Sequence, residues 1–167
     1  INPDQLAKDM FGDWNDTTAV LKAATYCSEL REKYLAEKKS FVFETVFSAQ
    51  DKIDFVIRAK KAGFFIRIFF ISTSNPAINA SRIAKRVMSG GHDVPITKII
   101  SRYNKSIQNC KTVSSITDRL YVYDNSTDDV DARALFRLSN GHIAKQYTTE
   151  IPDWALTFID YNKKNNY

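Results

Sequence analysis

The feature that most constrains the fold is an alternation of short apolar runs with longer stretches of helical periodicity. The apolar runs occupy residues 41–45, 64–71 and 120–123. The helical stretches occupy residues 16–37, 48–62, 75–89 and 95–107. A short apolar run without polar alternation is typical of a buried parallel strand. The order of strands and helices therefore predicts an α/β protein with a parallel-sheet core and helices on both faces.

Two further signals complete the predicted architecture. Asn140-Gly141 is a strong two-residue turn signal and predicts a C-terminal β-hairpin from residues 134–138 and 143–147. A last helix is predicted over residues 154–161. Because no repeat, linker or low-complexity segment interrupts residues 1–167, we expect a single domain.

Composition limits the classes of function. No apolar run approaches the roughly 20 residues of a membrane helix, and no signal-peptide pattern is present, so we expect a cytoplasmic protein without a membrane partner. Cys27 and Cys110 lie far apart and without metal-ligand spacing, which predicts two buried free thiols. The positive charge forms one cluster without interleaved aromatic residues, so we do not expect a nucleic-acid partner.

The charge cluster lies between Ala80 and Lys105. Six lysines and arginines against one acid give this segment a charge of +5, which equals the net charge of the whole chain. A local basic excess indicates an anionic ligand. Arg82 and Arg86 are four residues apart and share a helix face, whereas Lys85 is expected to point elsewhere.

The sequence Gly90-Gly91-His92 joins the two basic helical stretches. Two helices joined by such a loop resemble a lid, whose arginines can neutralise charge on a transferring phosphoryl group. The alternative is a solvated helix face with ordinary ion pairs. For His92, a backbone hydrogen bond that fixes the turn is favoured over acid catalysis.

Polar side chains follow the predicted strands at their carboxyl ends, where α/β proteins bind ligands. Asp4 follows Ile1, which we interpret as the end of a first strand, and Glu44 directly continues the first apolar run. A carboxylate at such a position can act as a general base or hold Mg²⁺ through water; for Asp4 the alternative is a helix cap. Glu44 is expected to be partly buried and therefore paired. Asp124-Asn125 closes the third run.

Four segments, in this order, resemble the zeta-toxin-like P-loop kinases: INPDQLA, FVFETVFS, a lid segment with RIAKRVMSGGHDVP followed by KIISRY, and YVYDNS. The resemblance covers about residues 1–140, and the segment from Gly90 to Pro95 is its most specific element. It implies the nucleoside-kinase type of P-loop fold, with ATP and Mg²⁺ as cofactors. It also implies phosphorylation of a nucleotide sugar, UDP-N-acetylglucosamine, and an antitoxin protein as partner.

The resemblance implies an acceptor side built from the first two segments. Asp4 matches the aspartate that deprotonates the acceptor hydroxyl. Glu44 matches the acidic residue that contacts substrate or Mg²⁺. Thr45 and Ser48 would line the acceptor pocket.

The same resemblance implies a nucleotide side built from the last two segments. Arg82 and Arg86 fall in the lid region where arginines of the family contact the ATP phosphates, and the match does not decide between them. Arg102 is a further candidate for phosphate contact. Asp124 and Asn125 would border the nucleotide base.

One departure from the family pattern leaves three interpretations open. The family's first strand, phosphate-binding loop and first helix precede the segment that matches INPD, and no G-x-x-x-x-G-K-[ST] sequence occurs in these 167 residues. Either an N-terminal P-loop unit is missing, which the start at Ile1 without methionine favours, or the protein is a catalytically inactive binding module. The third interpretation is a kinase of the same fold that acts on another small molecule or on a polynucleotide end.

Overall fold

A computed structural model describes residues 1–11, 17–90 and 93–165, so that the predicted cap Asp16 and the loop residues Gly91 and His92 lie outside it. In the described part, six helices and a four-stranded sheet confirm the predicted α/β class. The helices are α1 (Pro3–Phe11), α2 (Thr17–Ala36), α3 (Gln50–Lys61), α4 (Pro76–Met88), α5 (Ile96–Ser114) and α6 (Asp153–Asn165). The strands are β1 (Arg67–Ser72), β2 (Arg119–Asp124), β3 (Arg133–Ser139) and β4 (His142–Gln146).

The four strands form one sheet in the order β1-β2-β3-β4. Strands β1 and β2 are parallel, with α4 and α5 in the connection between them, whereas β2, β3 and β4 pair antiparallel. The predicted hairpin is confirmed as β3 and β4. Asn140 and Gly141 form its turn with φ values of 47° and 81°, the positive values that a type I′ hairpin turn requires at both central positions.

The strand predicted at residues 41–45 is wrong, because this segment is irregular in the structure. A remnant of parallel pairing is nevertheless present. The Ile1 nitrogen donates a hydrogen bond to the Val42 carbonyl oxygen (2.6 Å), and the Glu44 N–H donates to the Ile1 carbonyl oxygen (3.1 Å). These two bonds flank Phe43 in the pattern of a parallel bridge. A strand needs a ladder partner along its length, and here the pairing extends over a single residue.

The hydrophobic core lies between one face of the sheet and helices α3, α5 and α6. Phe70 of β1 contacts two rings of α6, with centroids 6.3 Å away for Trp154 and 5.5 Å away for Phe158. On the opposite face, Phe69 and Ile71 are each 57% exposed. Both faces were expected to carry helices. Within the described residues, the buried side chains of the sheet belong to one face, and the other remains open to solvent.

Helices α1 and α2 pack against each other through small buried residues, among them Ala7, Ala23 and Cys27. A bidentate ion pair joins α2 to α3: the Arg58 guanidinium donates to both Glu32 carboxylate oxygens at 2.8 and 2.6 Å. Cys27 and Cys110 are buried free thiols, as predicted. None of the described helices is long and apolar enough to cross a membrane.

Candidate functional site: a cationic cleft at the strand ends

The carboxyl ends of the two parallel strands are tied together by hydrogen bonds between the loops that follow them. The Asn125 N–H donates to the Ser72 carbonyl oxygen at 2.7 Å, and the Ser74 N–H donates to the Ser126 hydroxyl oxygen at 2.8 Å. The two loops therefore form one rigid edge. This is the position at which open α/β sheets bind ligands.

Helix α4 begins at this edge because the local sequence caps it. The Asn75 side chain accepts a hydrogen bond from the Ala77 N–H at 2.8 Å, and Pro76 occupies the first turn. Helix α5 is joined to the same edge, since the Tyr103 hydroxyl donates to the Thr73 carbonyl oxygen at 2.8 Å. Burial raises the pKa of Tyr103, so its hydroxyl keeps the proton for this bond.

A cleft of about 520 Å³ lies between α4 and the β2–β3 loop. Arg82 and Lys85 line its helix side, and Asn125 and residues 127–131 line the loop side. The Arg82 Nε donates to Asp128 Oδ1 at 2.9 Å, and the Lys85 ammonium donates to Asp128 Oδ2 at 3.1 Å.

The shared carboxylate holds both cations over the cleft. The hydrogen bond from Arg82, followed by that from Lys85, lowers the pKa of Asp128 below its ordinary value. A second Arg82 nitrogen donates to the Thr127 carbonyl oxygen at 3.2 Å. Two cations that converge on one small anion can equally receive phosphate oxygens, because guanidinium and ammonium groups bind carboxylate and phosphate by the same charge-assisted hydrogen bonds.

Asp124 and Asn125 have different environments although they are neighbours. The Asp124 side chain is 13% exposed, accepts a hydrogen bond from the Ser126 hydroxyl and lies 3.8 Å from an Arg133 nitrogen. It therefore stabilises the loop from within. Asn125 lines the cleft, so it can contact a bound ligand.

The acceptor-side residues predicted from sequence form a second group near the N-terminus. Asp4 lies exposed in the first turn of α1. The helix is capped by Asn2, whose side-chain oxygen accepts from the N–H groups of Asp4 (3.0 Å) and Gln5 (3.2 Å). The Asn2 amide also donates to Glu44 at 2.7 Å. The stretches that carry Asp4 and Glu44 are therefore adjacent.

The expected partial burial of Glu44 is wrong, since its side chain is exposed. The reason is that residues 41–45 do not lie within a sheet, so that no layer covers the carboxylate. The Thr45 hydroxyl accepts from the Phe47 N–H at 3.1 Å and shapes the loop before α3, and Ser48 is half-buried there.

The predicted site residues thus divide between two places. Arg82 and Asn125 line the cleft, whereas the acceptor-side residues Asp4, Glu44, Thr45 and Ser48 do not. Arg86 is exposed one turn beyond Arg82 on α4, and Arg102 is half-buried on α5; neither lines the cleft.

Among the cleft residues that sequence reasoning missed are Lys85 and Asp128, which form an ion pair in the cleft. Lys85 was expected to point away from Arg82, and this was wrong because residues three apart also share a helix face. That spacing was the signal that could have found it. Asp128 lies in a loop rich in aspartates, and nothing in the local sequence indicates which of them reaches α4. Within the described part of the chain, no group of three or more metal-ligating side chains could hold a metal ion by itself.

The fold and the cleft define an α/β protein with a cationic ligand site at the carboxyl ends of parallel strands. A model of the zeta toxin family matches residues 14–134, which is more than half of the chain. The chain therefore belongs to the zeta toxin family, a family of kinase-like, nucleotide-binding proteins with the P-loop fold. No curated protein and no solved structure matches the chain.

Proposed function

We propose that the chain forms the acceptor side and the lid of an ATP-dependent small-molecule kinase. The reaction would transfer the γ-phosphoryl group of ATP to a hydroxyl of a nucleotide sugar such as UDP-N-acetylglucosamine. The observation that carries this proposal is the convergence of Arg82 and Lys85 on one anion at the strand-end cleft. Membership of a kinase-like family supports it.

On the nucleotide side, the proposed ligand of Arg82 is a phosphate oxygen of ATP. A guanidinium held at the cleft by Asp128 needs little rearrangement to exchange that carboxylate for phosphate, and it would then neutralise the charge that develops during transfer. Arg86, one turn further along α4, is a second candidate for the same role, and Arg102 is a third. Asn125 would contact the nucleotide directly.

On the acceptor side, Asp4 is the proposed general base. Its carboxylate would take the proton of the substrate hydroxyl as the oxygen attacks the γ-phosphorus and the bond to the ADP oxygen breaks. Thr45 and Ser48 would bind the acceptor sugar. The exposed carboxylate of Glu44 would hold a magnesium ion through water. Bound there, Mg²⁺ would offset phosphate charge.

A second candidate function is a binding module without catalysis. A whole protein without a G-x-x-x-x-G-K-[ST] sequence would favour it, since this loop cradles the β- and γ-phosphates in P-loop kinases. The zeta toxin family implies a toxin–antitoxin context. We therefore include in the proposal that the protein is a cytoplasmic toxin and that its partner is an antitoxin protein.

Two measurements on the same protein test the proposal. Calorimetry reports binding of ATP with Mg²⁺ and of UDP-N-acetylglucosamine, and transfer of labelled γ-phosphate reports catalysis. We expect Asp4→Asn to lower transfer about 10²- to 10⁴-fold with nucleotide affinity unchanged, because a base acts on the chemical step. Arg82→Ala should weaken nucleotide binding and transfer, whereas Lys105→Ala, which removes an exposed cation of α5, is the matched control.

The outcomes separate the two candidates. If the whole protein, as its source cell makes it, binds the sugar nucleotide but does not transfer the phosphoryl group, this result would support the binding module without catalysis. Full activity in both Asp4→Asn and Arg82→Ala would contradict the kinase proposal for these residues.

A further inference from the structure

The loop that precedes α3 contains a residue in a rare backbone conformation. We call residues 45–48 the acceptor loop, because it carries Thr45 and Ser48. Between them, Phe47 has a φ of 59°, which is an outlier for a bulky side chain. Its ring is only 8% exposed and belongs to the hydrophobic core, whereas Thr45 is exposed. Such a conformation persists only where the surrounding structure holds it, and residues of this kind cluster at functional sites.

The hydrogen bonds that hold Phe47 do not come from the start of α3. The N-cap residue of that helix is Ala49, which makes no side-chain hydrogen bond because alanine has no acceptor. Instead, the Phe47 N–H donates to the Thr45 hydroxyl oxygen at 3.1 Å. The Asn109 side-chain amide donates to the Phe47 carbonyl oxygen at 3.0 Å. Asn109 is half-buried on α5, so a distant helix fixes the conformation of the acceptor loop.

The same arrangement prepares the Thr45 hydroxyl as a donor. The bond from the Phe47 N–H occupies a lone pair of the hydroxyl oxygen, and the hydroxyl hydrogen can still be donated. Because Thr45 is exposed, an oxygen of a bound sugar can accept that hydrogen. The position of the hydroxyl depends on the left-handed conformation of Phe47, and therefore on Asn109.

Helix α5 joins the acceptor loop to the strand-end edge. Its Tyr103 hydroxyl donates to the Thr73 carbonyl oxygen at 2.8 Å. Tyr103 and Asn109 lie about 9 Å apart along the helix axis. Cys110 and Val113 of the same helix are buried in the core. The helix thus sets the distance between the edge where we place the nucleotide and the loop where we place the acceptor.

We propose that Asn109 is a positioning residue for the acceptor substrate. It holds Phe47 in the left-handed conformation and thereby directs the Thr45 hydroxyl towards the sugar nucleotide. This inference rests on the proposed function, which assigns acceptor binding to Thr45 and Ser48. The competing account is that the bond from Asn109 only supports the fold. In that case its loss would lower stability and leave the kinetic constants for the acceptor unchanged.

Kinetics of phosphoryl transfer by the whole protein test the proposal, with UDP-N-acetylglucosamine and ATP varied independently at a temperature well below the thermal midpoint. Asn109→Leu removes the amide donor at similar side-chain size. We expect kcat/KM for the acceptor to fall about 10- to 100-fold, because a small misplacement of a binding group costs this much, and the KM for ATP to stay within about twofold. Asn109→Asp, which has the same shape but no amide N–H, should give a similar loss and controls for the packing of leucine.

The matched control is Asn104→Leu, the same substitution at an exposed position of the same helix. It should leave both kinetic constants within about twofold. Hydrogen exchange gives a readout that needs no acceptor: the segment 41–50 should exchange faster in Asn109→Leu than in wild type or in Asn104→Leu, because the acceptor loop is released.

A double variant tests whether Asn109 acts through Thr45. Thr45→Val removes the hydroxyl and should itself lower kcat/KM for the acceptor. If Asn109 only positions that hydroxyl, adding Asn109→Leu to Thr45→Val should change kcat/KM by no more than about twofold, since residues that act through one contact are not additive. Fully additive losses would overturn the route through Thr45.

The remaining outcomes separate this inference from the proposed function. Unchanged kcat/KM for the acceptor in both Asn109 variants, or equal rises in KM for ATP and acceptor, would overturn the inference while transfer by the wild type upholds the kinase. A wild type that neither binds UDP-N-acetylglucosamine in calorimetry nor phosphorylates it would overturn the proposed function. Asn109 would then have no role towards this acceptor, whatever the hydrogen exchange of the acceptor loop.

Discussion

Substitution of Phe158 by alanine tests whether the sheet packs on one face alone. Phe158 is fully buried, and its ring centroid lies 5.5 Å from that of Phe70 and 6.4 Å from that of Trp154. Removal of a buried phenylalanine side chain leaves a cavity and costs about 3–5 kcal/mol. We therefore expect Phe158→Ala to lower the free energy of unfolding by about 4 kcal/mol. For a chain of this length, that lowers the thermal midpoint by about 8–16 °C.

The matched control is Phe65→Ala, which removes the same atoms from the exposed face of the sheet, the face of Phe69 and Ile71. Phe65 is 59% exposed, so its removal should cost less than about 1 kcal/mol. Urea unfolding followed by circular dichroism measures both variants. Equal destabilisation by the two substitutions would refute the reasoning, because it would show that another layer covers the exposed face of the sheet. A small effect of Phe158→Ala would show that α6 does not dock on the sheet.

Three further predictions concern single contacts. Asp118 accepts hydrogen bonds from Lys60 (2.7 Å) and the Ile66 N–H (2.8 Å); burial alone would raise its pKa, but these bonds outweigh burial and lower it. Asp118→Asn should thus cost about 1–2 kcal/mol at neutral pH, and the difference from wild type in thermal midpoint should shrink as acid protonates the native carboxylate. Asn75→Ala should cost about 1 kcal/mol in urea unfolding and Asn75→Ser far less, because serine also caps helices. Asp128→Asn should tighten ATP binding several-fold in calorimetry, since the carboxylate competes with phosphate for the cations of α4; weaker binding would contradict this competition.

Structural elements were predictable from the sequence where the residues that start or end them lie within a few positions of each other. Asn75-Pro76 predicts the start of α4, and Asn140-Gly141 predicts the hairpin turn. Gly63, with φ of 88°, ends the segment of α3 because glycine readily adopts this left-handed conformation. In each case the residues that cause the structure are close together in the chain, so the local sequence is enough to predict it.

Features that depend on a partner distant in sequence were less predictable. Glu44 was expected to be partly buried because it continues an apolar run, but burial requires a covering layer, and that run pairs with one residue only. The cleft was foreseen in part. Arg82 was identified by its place in the basic segment, whereas Asp128, which fixes its orientation, is 46 residues away along the chain.

The apolar run of β1 shows how a single charged residue distinguishes the two faces of a strand. A continuous run was interpreted as a strand buried on both faces, since parallel strands in α/β proteins usually are. Arg67 interrupts that run, and side chains alternate between faces, so Arg67 shares its face with Phe69 and not with Phe70. A guanidinium in this row makes a dry covering layer costly, and the register adds Arg119 beside it. The interruption therefore carried information about the sheet: Arg67 and Phe69 belong to the exposed face, and Phe70, next to Phe69 in sequence, belongs to the core.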